Sequence, residues 1–245
     1  MERSYRANDP IWLTEETRQK LFSKNSVFQT ITRDFPVSLG KEISKNERDS
    51  NDLLSTLTYG ELEFISIGEI FETIKERYGG IKPGGIFYDL GSGTGKGVIA
   101  GALLHNFDKC IGIEILEGLY NVSLQLKRVY EETFPSEIST RPDLWDSKIP
   151  EIEFTRSDMF TRGWADADFI FANSTCFDSS MMLRIAESEV KEGTWAITLT
   201  KSLPSSKWKI HESIKKLMSW GEATVYIQQR VNNSGAELGL DQLEI

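Results

Sequence analysis

The stretch Ile86-Phe87-Tyr88-Asp89-Leu90-Gly91-Ser92-Gly93-Thr94-Gly95-Lys96-Gly97 decides the fold. It is a short apolar run that ends in an acid, breaks into three alternating glycines and continues as the apolar segment 98–104. This order predicts a strand, a tight turn and a helix, which is the nucleotide-cradling unit of doubly wound α/β folds. The backbone of such a turn can approach a ligand closely because glycine has no Cβ.

Three kinds of ligand are compatible with a glycine turn of this general type. A dinucleotide site needs G-x-G-x-x-G, whereas this turn is G-x-G-x-G and follows Asp89, which would repel a pyrophosphate. A P-loop needs one more residue before Gly-Lys, and then Ser or Thr. S-adenosylmethionine fits better, because an acid can neutralise its ammonium and sulfonium charges. We therefore predict this cofactor, held by Asp89, Gly91, Ser92, Gly93, Gly95 and Lys96; a turn without a ligand is the alternative.

The composition limits the partners of the chain. Its 245 residues carry a formal net charge of −9, and a dominant nucleic-acid partner would require a basic face instead. An acidic surface suits a basic protein substrate, although many acidic proteins are acidic only for solubility. We expect a monomer with a protein substrate, no strong nucleic-acid binding and no membrane partner.

The cysteines and histidines give no indication of a metal site. Cys110 and Cys176 have neither disulfide nor zinc spacing, and the chain contains only two histidines. No segment reaches the length of an apolar transmembrane helix, and the start of the chain lacks a signal-peptide core. We therefore expect no metal and an intracellular protein, nuclear if its substrate is a histone and otherwise cytoplasmic.

Strand and helix patterns alternate after the glycine turn. We predict strands over 109–115, 152–156, 168–172, 195–200 and 224–230, helices over 117–134 and from 178 to about 190, and a further regular piece over 210–220. Such alternation predicts an α/β fold with a mostly parallel, seven-stranded twisted sheet and helices on both faces. Together with the cofactor that the glycine turn predicts, it indicates a Rossmann-like class I methyltransferase.

The N-terminal part is predicted as a small, mainly helical extension. A helix begins at Thr14 and runs to about Phe22, and a second, amphipathic helix runs from Phe64 to Tyr78. The polar segment 41–52 reads as a mobile linker or lid, or as an ordinary solvated loop, and 135–150 as irregular. The predicted units are an extension or lid (1–57), a methyltransferase domain (58–231) and a tail (232–245).

Polar residues end four successive predicted strands: Asp89, Glu114, Asp158 and Asn173. Ligands of such folds lie at the carboxyl ends of the strands. Glu114 lies 19 residues beyond Gly95, close to the spacing of about 20 expected for an acid that accepts the ribose hydroxyls.

Two of these strand ends have alternative interpretations. Asp158 could accept the adenine amine, with Met159 or Phe160 packing on the ring, or could simply cap a helix. Asn173 lies where the methyl group should emerge, although turn asparagines are common. Enzymes that methylate the amines of bases usually carry prolines after this residue; their absence here counts against a nucleobase substrate.

Several motifs occur together in one order over residues 58–230. They are Thr58-Tyr59-Gly60-Glu61, Tyr88-Asp89-Leu90-Gly91-Ser92-Gly93-x-Gly95, Gly112-Ile113-Glu114, Asn173-x-x-x-Phe177, Val190-Lys191-Glu192-Gly193 and Ser219-Trp220 with Val225-Tyr226-Ile227. This set resembles the non-SET histone-lysine methyltransferases, the disruptor-of-telomeric-silencing family. The Tyr-Gly-Glu segment and the Asn173/Phe177 pair are more specific than the glycine turn.

The resemblance implies a role for each matched residue. Tyr59 and Leu62 would wall the methionine end of the cofactor, Asp89 and Gly91 would hold that end, and Glu114 would take the ribose. Asp158 and Met159 would hold the adenine, and Asn173, which we also assign to the cofactor site, would line a lysine channel with Phe177 and Tyr226. The chain departs from the family at Lys96 and Ser174, where glutamine and asparagine are frequent, and it lacks the family's basic segment for nucleosomal DNA.

The leading hypothesis is therefore an S-adenosylmethionine-dependent protein-lysine N-methyltransferase that acts on a basic protein such as a histone, with Asn173, Phe177 and Tyr226 as its catalytic residues. One alternative is a methyltransferase for another protein or a small molecule. Another is a non-catalytic module that keeps the cofactor fold as a binding surface.

Overall fold

The computed structural model describes residues 13–51, 59–61, 63–145, 148–218 and 221–232. Its strands are β1 (Ile86–Leu90), β2 (Lys109–Glu114), β3 (Glu151–Arg156), β4 (Phe169–Ala172), β5 (Trp195–Leu199), β6 (Trp208–Met218) and β7 (Gly221–Arg230). Its α-helices are α1 (Glu15–Thr32), α2 (Val37–Asn51), α3 (Phe64–Tyr78), α4 (Lys96–Leu104), α5 (Glu117–Thr140), α6 (Met159–Arg162) and α7 (Ser179–Glu187).

The seven strands form one sheet in the order β3-β2-β1-β4-β5-β7-β6. Strands β1 to β5 pair with one another in parallel, and β7 is antiparallel to both β5 and β6. The predicted mostly parallel, seven-stranded sheet is therefore confirmed. The strand order reverses between β1 and β4, and doubly wound folds bind their ligands at such a reversal.

The glycine stretch folds as predicted, with β1, a turn and then α4. Gly91, Gly93 and Gly95 have φ angles of 80°, 55° and 90°, a region that residues with a Cβ rarely adopt. A Cβ on Gly95 would come within 2.5 Å of the Phe154 ring. Glycine is therefore needed both for the backbone angles and for the close packing of β3 against the turn.

Side chains of the central strands alternate between two apolar layers. Phe87 packs in the layer formed by the sheet with helices α1, α3, α4 and α5, whereas Tyr88 packs on the opposite face with α7. This alternation follows from the two-residue period of a strand, and it places helices on both faces of the sheet, as predicted.

The prediction of a linker or loop over 41–52 was wrong, because α2 runs through this segment. Leu39 and Ile43, one helical turn apart, pack against the core, and Ser44 is buried, while most of the other side chains are exposed. An apolar stripe this narrow is easily overlooked in a polar sequence. Helix α1 likewise extends ten residues beyond the predicted end, because Val27 and Ile31 are buried.

The irregular segment predicted to begin at residue 135 begins later, because α5 continues through Pro135 to Thr140. Phe134 and Ile138 are buried on either side of the proline, and Phe134 stacks on Tyr130. Burial of these side chains offsets the cost of placing proline inside a helix.

Two features are absent from the described parts of the chain. Within these parts, no helix combines the length and the apolar character that a membrane crossing requires. The same residues contain no group of three or more His, Cys, Asp or Glu side chains that could hold a metal ion.

Candidate functional site

A cavity of about 470 Å³ opens at the carboxyl ends of β1, β2 and β4. Most of the site residues predicted from the sequence line it, namely Tyr59, Asp89, Gly91, Ser92, Gly93, Lys96, Glu114, Asp158, Met159, Asn173 and Phe177. Gly95 and Tyr226, both within the described part of the chain, are not among its lining residues. Leu62 lies outside the described residues.

Asp89 lies at the bottom of the cleft and is only 3% exposed. Its burial, assisted by the nearby charge of Glu114, raises its pKa to about 8. A carboxyl group in this environment loses its proton readily only when a cation lies close to it. The position therefore suits a ligand that brings a positive charge.

Glu114 ends the neighbouring strand and is held by three backbone N–H groups. One carboxylate oxygen accepts from Gly93 of the glycine turn at 2.8 Å, and the other accepts from Ile115 and Leu116, also at 2.8 Å. Burial raises the pKa of Glu114, and these three hydrogen bonds oppose that rise. The carboxylate is thereby fixed in orientation, and its remaining lone pairs can accept ligand hydroxyls.

Residues 59–61 lie on the outer side of the glycine turn. The Tyr59 hydroxyl lies 2.7 Å from Thr94 Oγ1 and donates to Glu61, and Lys96 Nζ lies 2.9 Å from the other carboxylate oxygen of Glu61. Burial, followed by the charge of Glu61, raises the pKa of Tyr59 well above its ordinary value, so the phenol stays protonated. These contacts explain why a Tyr-Gly-Glu segment accompanies the glycine turn.

Asn173 closes the site from the end of β4. Its side-chain Nδ2 donates to the carbonyl oxygen of Gly60 at 2.7 Å, and its Oδ1 accepts from the Thr175 hydroxyl at 3.4 Å. The Thr175 hydroxyl in turn lies 3.1 Å from that of Thr200. Thr200 has a φ of 67°, an unfavourable angle for a β-branched residue. Thr175 and Thr200 were not predicted as site residues, since a threonine beside a strand end is a common feature.

The other end of the cleft is mainly apolar. Asp158 caps α6 by accepting from the Phe160 N–H at 2.9 Å, so the helix-cap interpretation holds for this oxygen. Met159 is buried beside it, and the Arg184 guanidinium lies 3.7 Å from the centroid of the Phe160 ring. Such a surface, with one carboxylate at its edge, suits a flat heterocycle that carries an amine.

Two predicted channel residues occupy different surroundings. Phe177 lines the cleft, and its ring lies 3.5 Å from the position of a Cβ on Gly91. Tyr226 lies on β7, paired with Thr198 of β5, and is half-buried. The structure thus brings Phe177 to Asn173 but does not bring Tyr226 to the wall of this cavity.

A protein-family model provides independent evidence of relationship. The model for the histone methylation protein DOT1 matches residues 44–228. The chain belongs to the DOT1 family. The match includes the glycine turn, the strand ends that line the cleft and the second half of α2. It begins 14 residues before the resemblance recognised over residues 58–230 and ends two residues before it.

The curated relatives are named as histone-lysine methyltransferases. The H3 lysine-79 specific histone-lysine N-methyltransferase of Kluyveromyces lactis is 29% identical over 161 residues, which are 61% of this chain and 25% of the relative. The enzyme of the same name from Dictyostelium discoideum is 29% identical over 144 residues, which are 58% of this chain and 7% of the relative. The chain therefore spans a quarter or less of the length of these two DOT1 relatives.

Similarity to a solved structure supports the assignment of the fold, and of the fold alone. A class I S-adenosylmethionine-dependent methyltransferase from Listeria monocytogenes matches with a TM-score of 0.51 and 9% sequence identity, covering 90% of each chain. At this identity the likeness establishes the class I methyltransferase fold and nothing about the substrate.

The DOT1-family cleft fits the cofactor that the fold implies. Ser92 and Asp89 both line the cleft; Ser92 Oγ is buried without a hydrogen-bond partner, and the Asp89 carboxyl group is buried as well. A ligand hydroxyl or amine can satisfy the first group, and an ammonium can satisfy the second. S-adenosylmethionine supplies groups of both kinds.

Proposed function

We propose that this chain is an S-adenosylmethionine-dependent protein-lysine N-methyltransferase. The observation that carries the proposal is the pair of buried carboxylates, Asp89 and Glu114, beside the segment from Tyr59 to Glu61 that Asn173 ties down. A cationic methyl donor uses the first carboxylate, and its ribose uses the second. The DOT1 family match supports the same activity.

Each part of the donor has a complementary group in the cleft. Asp89 receives the ammonium, and Lys96, at the N-terminus of α4, is well placed for the methionine carboxylate. Glu114 accepts the ribose hydroxyls, and Asp158 and Met159 hold the adenine. Tyr59 walls the methionine end, and the Ser92 hydroxyl gains the partner that it otherwise lacks.

The residues beside Asn173 prepare the lysine for reaction. The bound donor supplies an electrophilic methyl group, and the attacking amine must be neutral although free lysine has a pKa of about 10.4. Phe177 shields the amine from water, which lowers its pKa and favours the neutral form. The Asn173 side-chain oxygen orients the amine, and we place Tyr226 at the outer mouth of the channel, where its ring can hold the cation before deprotonation.

A basic protein is the substrate that the charge of the chain favours. The formal net charge of −9 attracts a basic protein and repels the phosphates of nucleic acids. Relatives named for lysine 79 of histone H3 make a histone the first candidate, and with it a nuclear location. We propose no strong nucleic-acid binding by this chain, because its net negative charge opposes the approach of phosphates.

Methyl labelling tests this function directly. The wild-type protein is incubated with tritiated S-adenosylmethionine and either core histones, nucleosomes or a whole-cell extract, and labelled residues are identified by mass spectrometry. We expect label on lysine. Asn173→Ala should remove most of the turnover while retaining much of the affinity for S-adenosylhomocysteine. Labelled residues other than lysine, or no labelled protein, would reject the proposal.

A further inference from the structure

Helix α2 presents three residues on one face towards the cleft. Gly40, Ile43 and Glu47 are separated by three and four positions, a spacing that places them on the same side of a helix. Each of the three contacts an element that lines the cavity or carries residues that do so. None of the three was predicted as a site residue, and Ile43 and Glu47 lie in the segment 41–52 that was predicted to be a linker or loop.

Gly40 contacts the Tyr59 ring from the side opposite the glycine turn. A Cβ added at Gly40 would overlap the ring, and a Cβ added at Gly93 would come within 2.5 Å of its other edge. The ring is therefore enclosed between α2 and the glycine turn. Its hydroxyl, bonded to Thr94 and Glu61, leaves little freedom for the ring to move away.

Glu47 contacts the start of α5 at the other end of the cleft. Its carboxylate accepts from the backbone N–H of Gly118, and the residue that precedes α5, Leu116, provides no side-chain cap. Ile43 lies beside the same glycine: its Cγ2 is 2.6 Å from the position that a Cβ on Gly118 would occupy. Leu116 and Leu119 of this region line the cavity.

We propose that Gly40 and Glu47 are positioning residues for the methyl donor. Helix α2 spans the outside of the cleft, holding Tyr59 at the methionine end through Gly40 and the start of α5 at the ribose and adenine end through Glu47. Neither residue lines the cavity, so each acts through a residue that does. The inference rests on the proposed function only in taking the ligand to be the methyl donor.

A double-mutant cycle tests the contact between Gly40 and Tyr59. S-adenosylhomocysteine affinity is measured by calorimetry for the wild type, Gly40→Ala, Tyr59→Ala and the double variant. Gly40→Ala should weaken binding about tenfold, whereas in the Tyr59→Ala background the same change should have less than about a twofold effect. If Gly40 served only the packing of α2, the added Cβ would meet the Tyr59 ring and lower the stability of the protein, while its affinity for S-adenosylhomocysteine would stay unchanged.

Variants of Glu47 test the second contact. Glu47→Ala should weaken S-adenosylhomocysteine binding several-fold, and Glu47→Gln should restore it, because an amide oxygen also accepts from the Gly118 N–H. Lys45→Ala, on the exposed face of α2, is the matched control. Wild-type affinity in both Gly40→Ala and Glu47→Ala would overturn the inference. A wild-type protein that did not bind S-adenosylhomocysteine would instead overturn the proposed function.

Discussion

Asp89 and Glu114 lie at the carboxyl ends of adjacent parallel strands, and the charge of Glu114 makes the ionisation of Asp89 less favourable. Asp89 pairs in register with Gly112 of β2, two residues before Glu114. Burial first, and the Glu114 charge second, raise the pKa of Asp89 to about 8. Glu114 is stabilised by three backbone N–H groups, whereas the burial of Asp89 is offset mainly when a cation enters the cleft.

The affinity for S-adenosylhomocysteine should therefore rise with pH. Below pH 8 the free protein holds a proton on Asp89 that must leave before the carboxylate can pair with the ligand ammonium. The affinity should increase by up to about tenfold per pH unit from pH 6 and level off near pH 8. Calorimetry in buffers of different ionisation enthalpy would detect the released proton. An affinity that is constant from pH 6 to pH 8 would contradict this prediction.

Asp89→Asn should stabilise the free protein while abolishing cofactor binding. The folded pKa of about 8 exceeds the ordinary carboxyl value of 3.8, so between these pH values the folded state holds a proton that the unfolded state lacks. The free energy of unfolding of the wild type therefore falls as pH rises from about 4 to about 8, at up to about 1.4 kcal/mol per unit. Asparagine removes this dependence, and urea unfolding at pH 5 and pH 8 would measure it.

Asp178→Asn is a control for that experiment, because the pH dependence of stability that Asp178 contributes has the opposite sign. Hydrogen bonding to the Met181 N–H lowers the pKa of Asp178, so its stabilising effect is present at neutral pH and is lost as pH falls. Equal pH profiles for Asp89→Asn and the wild type would show that Asp89 is not the group responsible.

The central part of the fold was predictable because local patterns and tertiary structure agree there. A buried strand, three glycines with positive φ and a buried helix form one continuous unit, and the polar strand ends Asp89, Glu114 and Asn173 meet at the edge where parallel strands end. Helix α2 was missed because its stability depends on packing of Leu39 and Ile43 rather than on a wide apolar face.

The residues that line the site could be predicted from the sequence more readily than the hydrogen bonds that orient their side chains. Asn173 is oriented through Gly60, which lies 113 residues earlier in the chain, and through Thr175 and Thr200. Nothing in the local sequence indicates which way a strand-end amide turns, because its partners come from loops that only the folded sheet brings together. Pro135 led to a different error. Helix α5 was predicted to end at Phe134, but it continues through the proline because Phe134 and Ile138 are buried on either side of it.

Replacing Thr200 with glycine should lower kcat without lowering the stability of the protein. At φ 67° a non-glycine residue costs about 1–2 kcal/mol, so Thr200→Gly should leave the melting temperature unchanged or raise it. The same change removes the hydroxyl that lies beside Thr175 and should lower kcat about tenfold by freeing Asn173. Thr200→Ser keeps the hydroxyl and should keep kcat. Loss of stability without loss of kcat in the glycine variant would refute the positioning role of Thr200.

The buried ion pair between α3 and β6 should dominate the stability of that edge of the sheet. Arg77 Nη1 lies 2.9 Å from Glu212 Oε1, and their side chains are 11% and 3% exposed. The Tyr78 hydroxyl donates to the other carboxylate oxygen at 2.9 Å. Arg77→Met would leave a buried carboxylate without its cation, which should lower the free energy of unfolding by about 3–5 kcal/mol.

The pair of Lys215 and Glu222 offers a matched control on the same hairpin. Their side chains are 72% and 58% exposed, so solvent screens the interaction, and Lys215→Met should change the free energy of unfolding by less than about 1 kcal/mol. Both variants would be compared with the wild type by urea unfolding at pH 7. Similar losses for Arg77→Met and Lys215→Met would show that burial does not set the strength of the Arg77–Glu212 contact.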